Sequence, residues 1–177
     1  MDKSLAFGLP LFKTKANNHA DAKEKILHCV ESGTQYSIRS KEIYLTSCDW
    51  HVIDVPKPYW EFCQADICDH VGQVANDLDF AEWRISEYWY QYYMPGDYHD
   101  WHVHGNSMFV GVYYVKLNSR HPKIIFKWQG QEYLVPVEEG DIITFPSFLH
   151  HKAPKNETDE SKLILSFNVH FNGVGYS

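Results

Sequence analysis

Two kinds of hydrophobic spacing divide the chain near residue 80. Before that point apolar positions recur every three to four residues in two long stretches. Residues 18–32 place Ala22, Ile26, Leu27 and Val30 on one face and Asp21, Lys23, Glu24 and Lys25 on the other. This predicts an amphipathic helix with Asn18 available as its cap and Gly33 at its end. Residues 58–78 repeat the spacing through Trp60, Cys63, Ile67, Val71 and Val74, predicting a second helix. Residues 1–17, where Gly8 and Pro10 interrupt the run F-G-L-P-L-F, read as a short strand or edge segment. Residues 34–55, closed by Pro56 and Pro58, read as loop with an edge strand.

After residue 79 the period becomes that of strands, with turn residues at each break. Strands are predicted at 84–94, 109–116, 123–128, 131–137, 141–145 and 162–171, with a hinge at Gln129 and Gly130. Pro95, Gly96 and Asp97 turn the chain into a histidine-bearing stretch, Y-H-D-W-H-V-H, bringing the count to about seven strands. The expectation is one domain, mainly β with flanking helices. Residues 1–80 would supply helical and edge-strand support, and 81–171 the core. Internal repeats and low-complexity segments are absent.

Composition narrows the function classes. The 177 residues are 44% hydrophobic, enough for one sizeable core. Aromatic residues make up 16%, with 12 Tyr, 10 Phe and 6 Trp, which suits strands and a ring-lined pocket. Sixteen Lys and Arg against 23 Asp and Glu give a formal net charge of −7, and no strong basic patch stands out, so nucleic acid is not an expected partner. Cys29, Cys48, Cys63 and Cys68 form no C-x-x-C pair, and the N-terminus lacks the apolar centre of a signal peptide. With no apolar run approaching the ~20 residues of a membrane span, a soluble, reduced, cytoplasmic protein is expected. Oligomeric state is left open.

The 11 histidines then change the picture. His102 and His104 are two apart, so on an extended strand both project from one face, roughly 7 Å apart along the backbone. Two imidazoles alone hold a metal weakly, and G-D-I-I-T-F-P-S-F-L-H-H offers a third donor in His150 or His151. A residue ending one strand and a pair starting another should meet only where a sheet folds back on itself, as in a barrel or sandwich. Asp100 shares the face of His102 and competes with His104, while His99 reads as a rim residue. Incidental strand-end histidines are the bland alternative. In K-L-I-L-S-F-N, alternation sets Lys162, Ile164, Ser166 and Asn168 against Leu163, Leu165 and Phe167. The apolar set should pack on the helices and the polar set should look into the barrel. A lysine there needs an anionic partner, because an unpaired buried charge is costly; otherwise it snorkels into solvent.

The runs W-H-V-H, G-V-Y-Y-V, G-D-I-I-T-F-P-S-F-L-H-H and K-L-I-L-S-F-N together resemble the iron(II) and 2-oxoglutarate-dependent dioxygenase superfamily, over about half the chain. Within it the chain is similar to bacterial and phage oxygenases of unassigned substrate. The resemblance implies a double-stranded β-helix, the jelly roll shared with cupins. It implies iron(II) on His102, His104 and His151, with His104 standing where the family's H-x-D/E motif carries a carboxylate. It sets Lys162, eleven positions after His151, where the family's basic residue, more often arginine, pairs with the distal carboxylate of 2-oxoglutarate. Tyr114 matches a tyrosine that helps bind the same group, and Ser166 and Asn168 complete the expected cofactor contacts. The implied reaction is oxygenation of an unidentified organic substrate by dioxygen, with release of succinate and carbon dioxide. Three imidazoles also suit zinc, copper and nickel. A cupin-like three-histidine metalloprotein without 2-oxoglutarate, or a binding protein that kept the barrel, are therefore the alternatives.

Overall fold

The computed structural model describes residues 1–33, 44–50, 52 and 55–173. In chain order the elements are β1 (Asp2–Ala6), β2 (Leu9–Lys15), α1 (His19–Ser32), β3 (Tyr44–Leu45), β4 (Ser47–Cys48), a 3-10 turn (Pro58–Phe62) and α2 (Gln64–Asp77). There follow β5 (Glu82–Tyr93), β6 (Tyr98–His102), β7 (Phe109–Lys116), β8 (Ile125–Trp128), β9 (Gln131–Leu134), β10 (Asp141–Pro146), β11 (His150–Ala153) and β12 (Lys162–Asn172).

The strands form two antiparallel sheets, ordered β1-β2-β10-β7-β12-β5-β4 and β3-β6-β11-β8-β9. From β5 onward the chain passes repeatedly between them, so β5, β12, β7 and β10 face β6, β11, β8 and β9. That is the double-stranded β-helix. Eight strands build it rather than about seven. The additional one is β11, whose four residues H-H-K-A carry no apolar alternation and are held by pairing with β6 and β8.

The N-terminal half departs further from the sequence pattern. Residues 1–17 form a hairpin, not one segment, because Phe7 and Gly8 turn through positive φ values of 57° and 79°. The stretch 58–78 is two helices, broken where Cys63 takes φ −130°. Its first turn is held by ring contacts: Trp60 stacks on Tyr88 at 4.0 Å, and Tyr59 donates to Asp49 Oδ2 at 2.6 Å. Asn18 stands at the start of α1 but makes no side-chain cap; Asp66 of α2 instead accepts the backbone N–H groups of Asn17 and Asn18. Of the loop and edge strand expected over 34–55, β3 and β4 are present, and residues 34–43, 51, 53 and 54 lie outside the described residues.

Strand β12 is buried on both faces and divides the core in two. Leu163, Leu165, Phe167 and Val169 pack with Ile26 and Val30 of α1 and Ile67, Val71 and Val74 of α2. On the other face Ile164 joins Tyr93, Val112, Tyr114, Phe126 and Phe145 between the sheets. Gly111 marks the tightest approach. It is the cross-strand partner of Phe167, and a Cβ there would lie 2.0 Å from that ring's Cζ. Gly111→Ala is therefore expected to cost about 1–3 kcal/mol by overpacking, read as a lowered denaturation midpoint at unchanged slope.

Candidate functional site

His102 and His151 are direct partners in the β6–β11 ladder. They meet as neighbours within one sheet, so the expectation that they could meet only through a sheet folding back is corrected. His104 lies two residues past the end of β6, where its N–H donates to Ser147 O at 3.0 Å. Ser147 follows β10 and its hydroxyl donates to Ser107 O, so the F-P-S run ties down the loop that carries His104. The ring nitrogens of His102, His104 and His151 offer one donor atom each within 4.8 Å of one another.

The three rings share a tautomer. His102 Nδ1–H donates to Asp100 O at 2.7 Å, and His151 Nδ1–H donates to Leu149 O at 2.9 Å. Both acceptors are carbonyls, so the proton must sit on Nδ1 and Nε2 keeps its lone pair. At His104 the acceptor is Asn168 Oδ1, 2.9 Å away, and Asn168 Nδ2 donates to Glu87 Oε2 at 2.7 Å. A carboxylate only accepts, which fixes the amide orientation and hence the tautomer of His104. Burial lowers the affinity of all three rings for a second proton: His102 is pushed down to about 4, and His104 and His151 are lowered as well. Neutral imidazoles with inward Nε2 lone pairs are the form that ligates a metal.

His99 is half-buried. Its ring stacks on His102 at 3.7 Å between centroids and an 8° tilt, and it lines the cavity. The Gln91 amide bridges Ser166 Oγ at 3.2 Å and His99 Nδ1 at 2.9 Å. His99 is thereby held by the protein at Nδ1, and its ring is not among the three converging donors. His150 is exposed and His151 buried, so of the pair only His151 faces the cavity. Asp100 is exposed; its Oδ1 accepts the N–H of Trp101, and its carboxylate is not among the converging donors.

Lys162 and Tyr114 close the far end of the same cavity. Lys162 is 2% exposed, its amine 3.3 Å from Pro122 O and over the ring of Tyr93 at 4.5 Å. Among the described residues no carboxylate pairs with it, and burial, with Lys123 nearby, pushes its amine down to about 7. The Tyr114 hydroxyl is buried without a hydrogen-bond partner. Tyr113 points the other way, toward α1, where it bonds His19 Nδ1 at 2.7 Å. The inner cavity is a narrow slot of about 40 Å³. An outer groove of about 380 Å³, walled by Trp50, Trp89 and Val103, shares His99, His102 and His104 with it and leads outward. Four residues of this constellation, Glu87, Trp89, Gln91 and His99, carry no motif signal. All but His99 lie on β5, and the strand alternation that sets 87, 89 and 91 on one face, with Glu87 exposed in the outer groove, was the available clue.

No family model matches the sequence, and no curated protein does. Solved structures match the fold. A prolyl-4-hydroxylase of Pseudomonas putida is 14% identical, with a TM-score of 0.68 over 92% of this chain and 93% of that one. The viral collagen prolyl hydroxylase of Paramecium Bursaria Chlorella virus-1, solved as a 2-oxoglutarate complex, is 13% identical, with a TM-score of 0.63 over 94% and 98%. The non-haem α-ketoglutarate-dependent epimerase SnoN of nogalamycin biosynthesis is 13% identical, with a TM-score of 0.69 over 90% and 76%. At these identities the likeness is one of fold.

Proposed function

We propose that this protein is a non-haem iron(II) and 2-oxoglutarate-dependent oxygenase acting on an organic substrate. The reading rests on one cavity that presents three inward imidazole lone pairs at one end and a buried lysine with an unsatisfied tyrosine hydroxyl at the other. The residues fit both groups. His102, His104 and His151 would hold iron(II), and Lys162 with Tyr114 would take the far carboxylate of 2-oxoglutarate. When bound, the metal and its 2-oxo acid supply oxidative decarboxylation coupled to oxygen transfer, releasing succinate and carbon dioxide.

The chain's own residues position and enclose. Trp89 lies against His104 at 5.7 Å, His99 against His102, and Phe145 meets His151 edge-on at 5.0 Å, so each ligand ring is braced. The slot, about 40 Å³, is smaller than a five-carbon diacid, so its lining side chains must shift to admit one. The outer groove, with Trp50 and Trp89 as walls, would hold the substrate beside the histidines.

Anaerobic titration of the iron(II)-loaded protein with 2-oxoglutarate tests the reading through the weak visible charge-transfer band of a chelated 2-oxo acid. The band is expected to appear and saturate. Its absence with metal still bound would instead favour the cupin-like three-histidine metalloprotein, the reading that the all-neutral donor set supports. Tyr114→Phe separates binding from stability. Deleting an unpaired buried hydroxyl is expected to leave the metal-free fold as stable or up to about 1–3 kcal/mol more so, while the midpoint of the titration moves to higher 2-oxoglutarate.

A further inference from the structure

Three imidazoles give a divalent ion no negative charge, whereas the H-x-D/E motif that the sequence resembles supplies a carboxylate at the position of His104. A carboxylate does stand behind that ring. Glu87 and Asn168 are cross-strand partners on β5 and β12, at the point where the register shifts between Asn168 and Val169. Glu87 Oε2 accepts from Asn168 Nδ2 at 2.7 Å, and Asn168 Oδ1 accepts from His104 Nδ1–H at 2.9 Å. Ser107 Oγ adds a longer bond of 3.4 Å to the same amide oxygen. Glu87 makes no ion pair among the described residues, so no lysine or arginine competes for its charge. Both polar atoms of the Asn168 amide are engaged by the protein, which sets it apart from a residue that contacts a cofactor directly.

We infer that Glu87 supplies, through Asn168, the negative charge that the three-histidine set lacks, and so strengthens the hold of His104 on the metal. This rests on the proposed metal site. A carboxylate behind a ligating imidazole fixes its tautomer and raises its basicity, and loss of such an outer partner typically weakens metal binding about 10–100-fold. Glu87 is a positioning residue, and it reaches the metal only through the other two side chains.

The test is cobalt(II) binding to the metal-free full chain. Affinity would be read by competition with a chromophoric chelator, and the ligand field by the visible cobalt bands. Glu87→Gln keeps the shape and removes the charge; it is expected to weaken cobalt(II) by about tenfold or more and to shift the bands. The double variant Glu87→Gln/Asn168→Asp moves the carboxylate one place inward. There the glutamine can donate to the aspartate, and the aspartate can accept from His104, so affinity is expected to recover. Unchanged affinity in Glu87→Gln, while His102→Ala loses the metal, would overturn the inference and leave the site standing. Weakening without recovery in a folded double variant would show that the loss does not follow the missing carboxylate charge and would overturn it too. No cobalt(II) binding by the wild-type chain would overturn the inference together with the site.

Discussion

His102→Ala and His151→Ala are each expected to abolish stoichiometric divalent-metal binding, with a loss larger than the ~10–100-fold attached to outer-shell changes. The reason is geometric. The two rings face each other as ladder partners with centroids 4.2 Å apart, and each keeps one inward Nε2 lone pair. Removing either leaves two donors, and two imidazoles do not hold the ion on their own. Because the metal binds only the folded chain, it should raise the wild-type melting temperature, and that rise should vanish in both variants. His150→Ala and Asp100→Ala serve as controls. His150 is exposed and pairs with Lys127 in the ladder, and Asp100 contributes its backbone carbonyl rather than its carboxylate to His102. Both should keep the metal-dependent rise. Equal loss in His150→Ala would place the distal ligand on the wrong neighbour.

Lys162→Met is expected to have effects of opposite sign on stability and on 2-oxoglutarate binding. Burial holds the lysine amine at about 7 in the fold, below its usual 10.5. Between those values the unfolded chain binds a proton that the native chain does not, so stability rises as pH climbs from about 7 to 10.5. Below pH 7 both states are charged and the full cost is present, on the order of 5 kcal/mol from the size of the shift. Methionine removes the charge while filling much of the same volume, and it gives up the contact over Tyr93. The metal-free variant should therefore gain about 2–4 kcal/mol in urea at pH 7 and lose the rise in stability between pH 7 and 10.5. It should also fail to show the charge-transfer band at any 2-oxoglutarate concentration that saturates the wild type. In the wild type, a diacid that pairs with the protonated amine should bind about tenfold more weakly per pH unit above 7, because binding must then take up a proton. Undiminished 2-oxoglutarate binding by Lys162→Met would remove the diacid from this end of the cavity.

Much of this was legible because local patterns and tertiary demands agree. The alternation in K-L-I-L-S-F-N placed Leu163, Leu165 and Phe167 against the helices and Lys162 and Ser166 toward the cavity, and both faces of β12 are buried as that split requires. Strand β7 is observed at the predicted bounds, Phe109–Lys116. The hinge at Gln129 and Gly130 has the positive φ values, 48° and 81°, of a tight hairpin turn. Strand β11 was illegible because four residues with two histidines and a lysine have no apolar period to detect. The break at Cys63 was illegible because ring stacking and the Asp49 hydrogen bond, both from distant sequence, hold the preceding turn.

The sequence by itself determined which side chains could converge: the spacing of His102 and His104, the histidine pair after F-P-S, and the face of β12 that carries Lys162. Those follow from strand periodicity, which every residue obeys wherever the strand ends up. Tertiary structure alone decided which of them do converge and in what protonation form. His151 rather than His150 faces inward because it pairs with His102. His99 lies outside the converging set, with its Nδ1 bonded to Gln91. His104 keeps its inward lone pair because Glu87, 81 residues before Asn168, fixes the amide that holds it. Hydrogen bonds between residues so far apart in the chain exist only once the sheets have closed, and no local pattern encodes them.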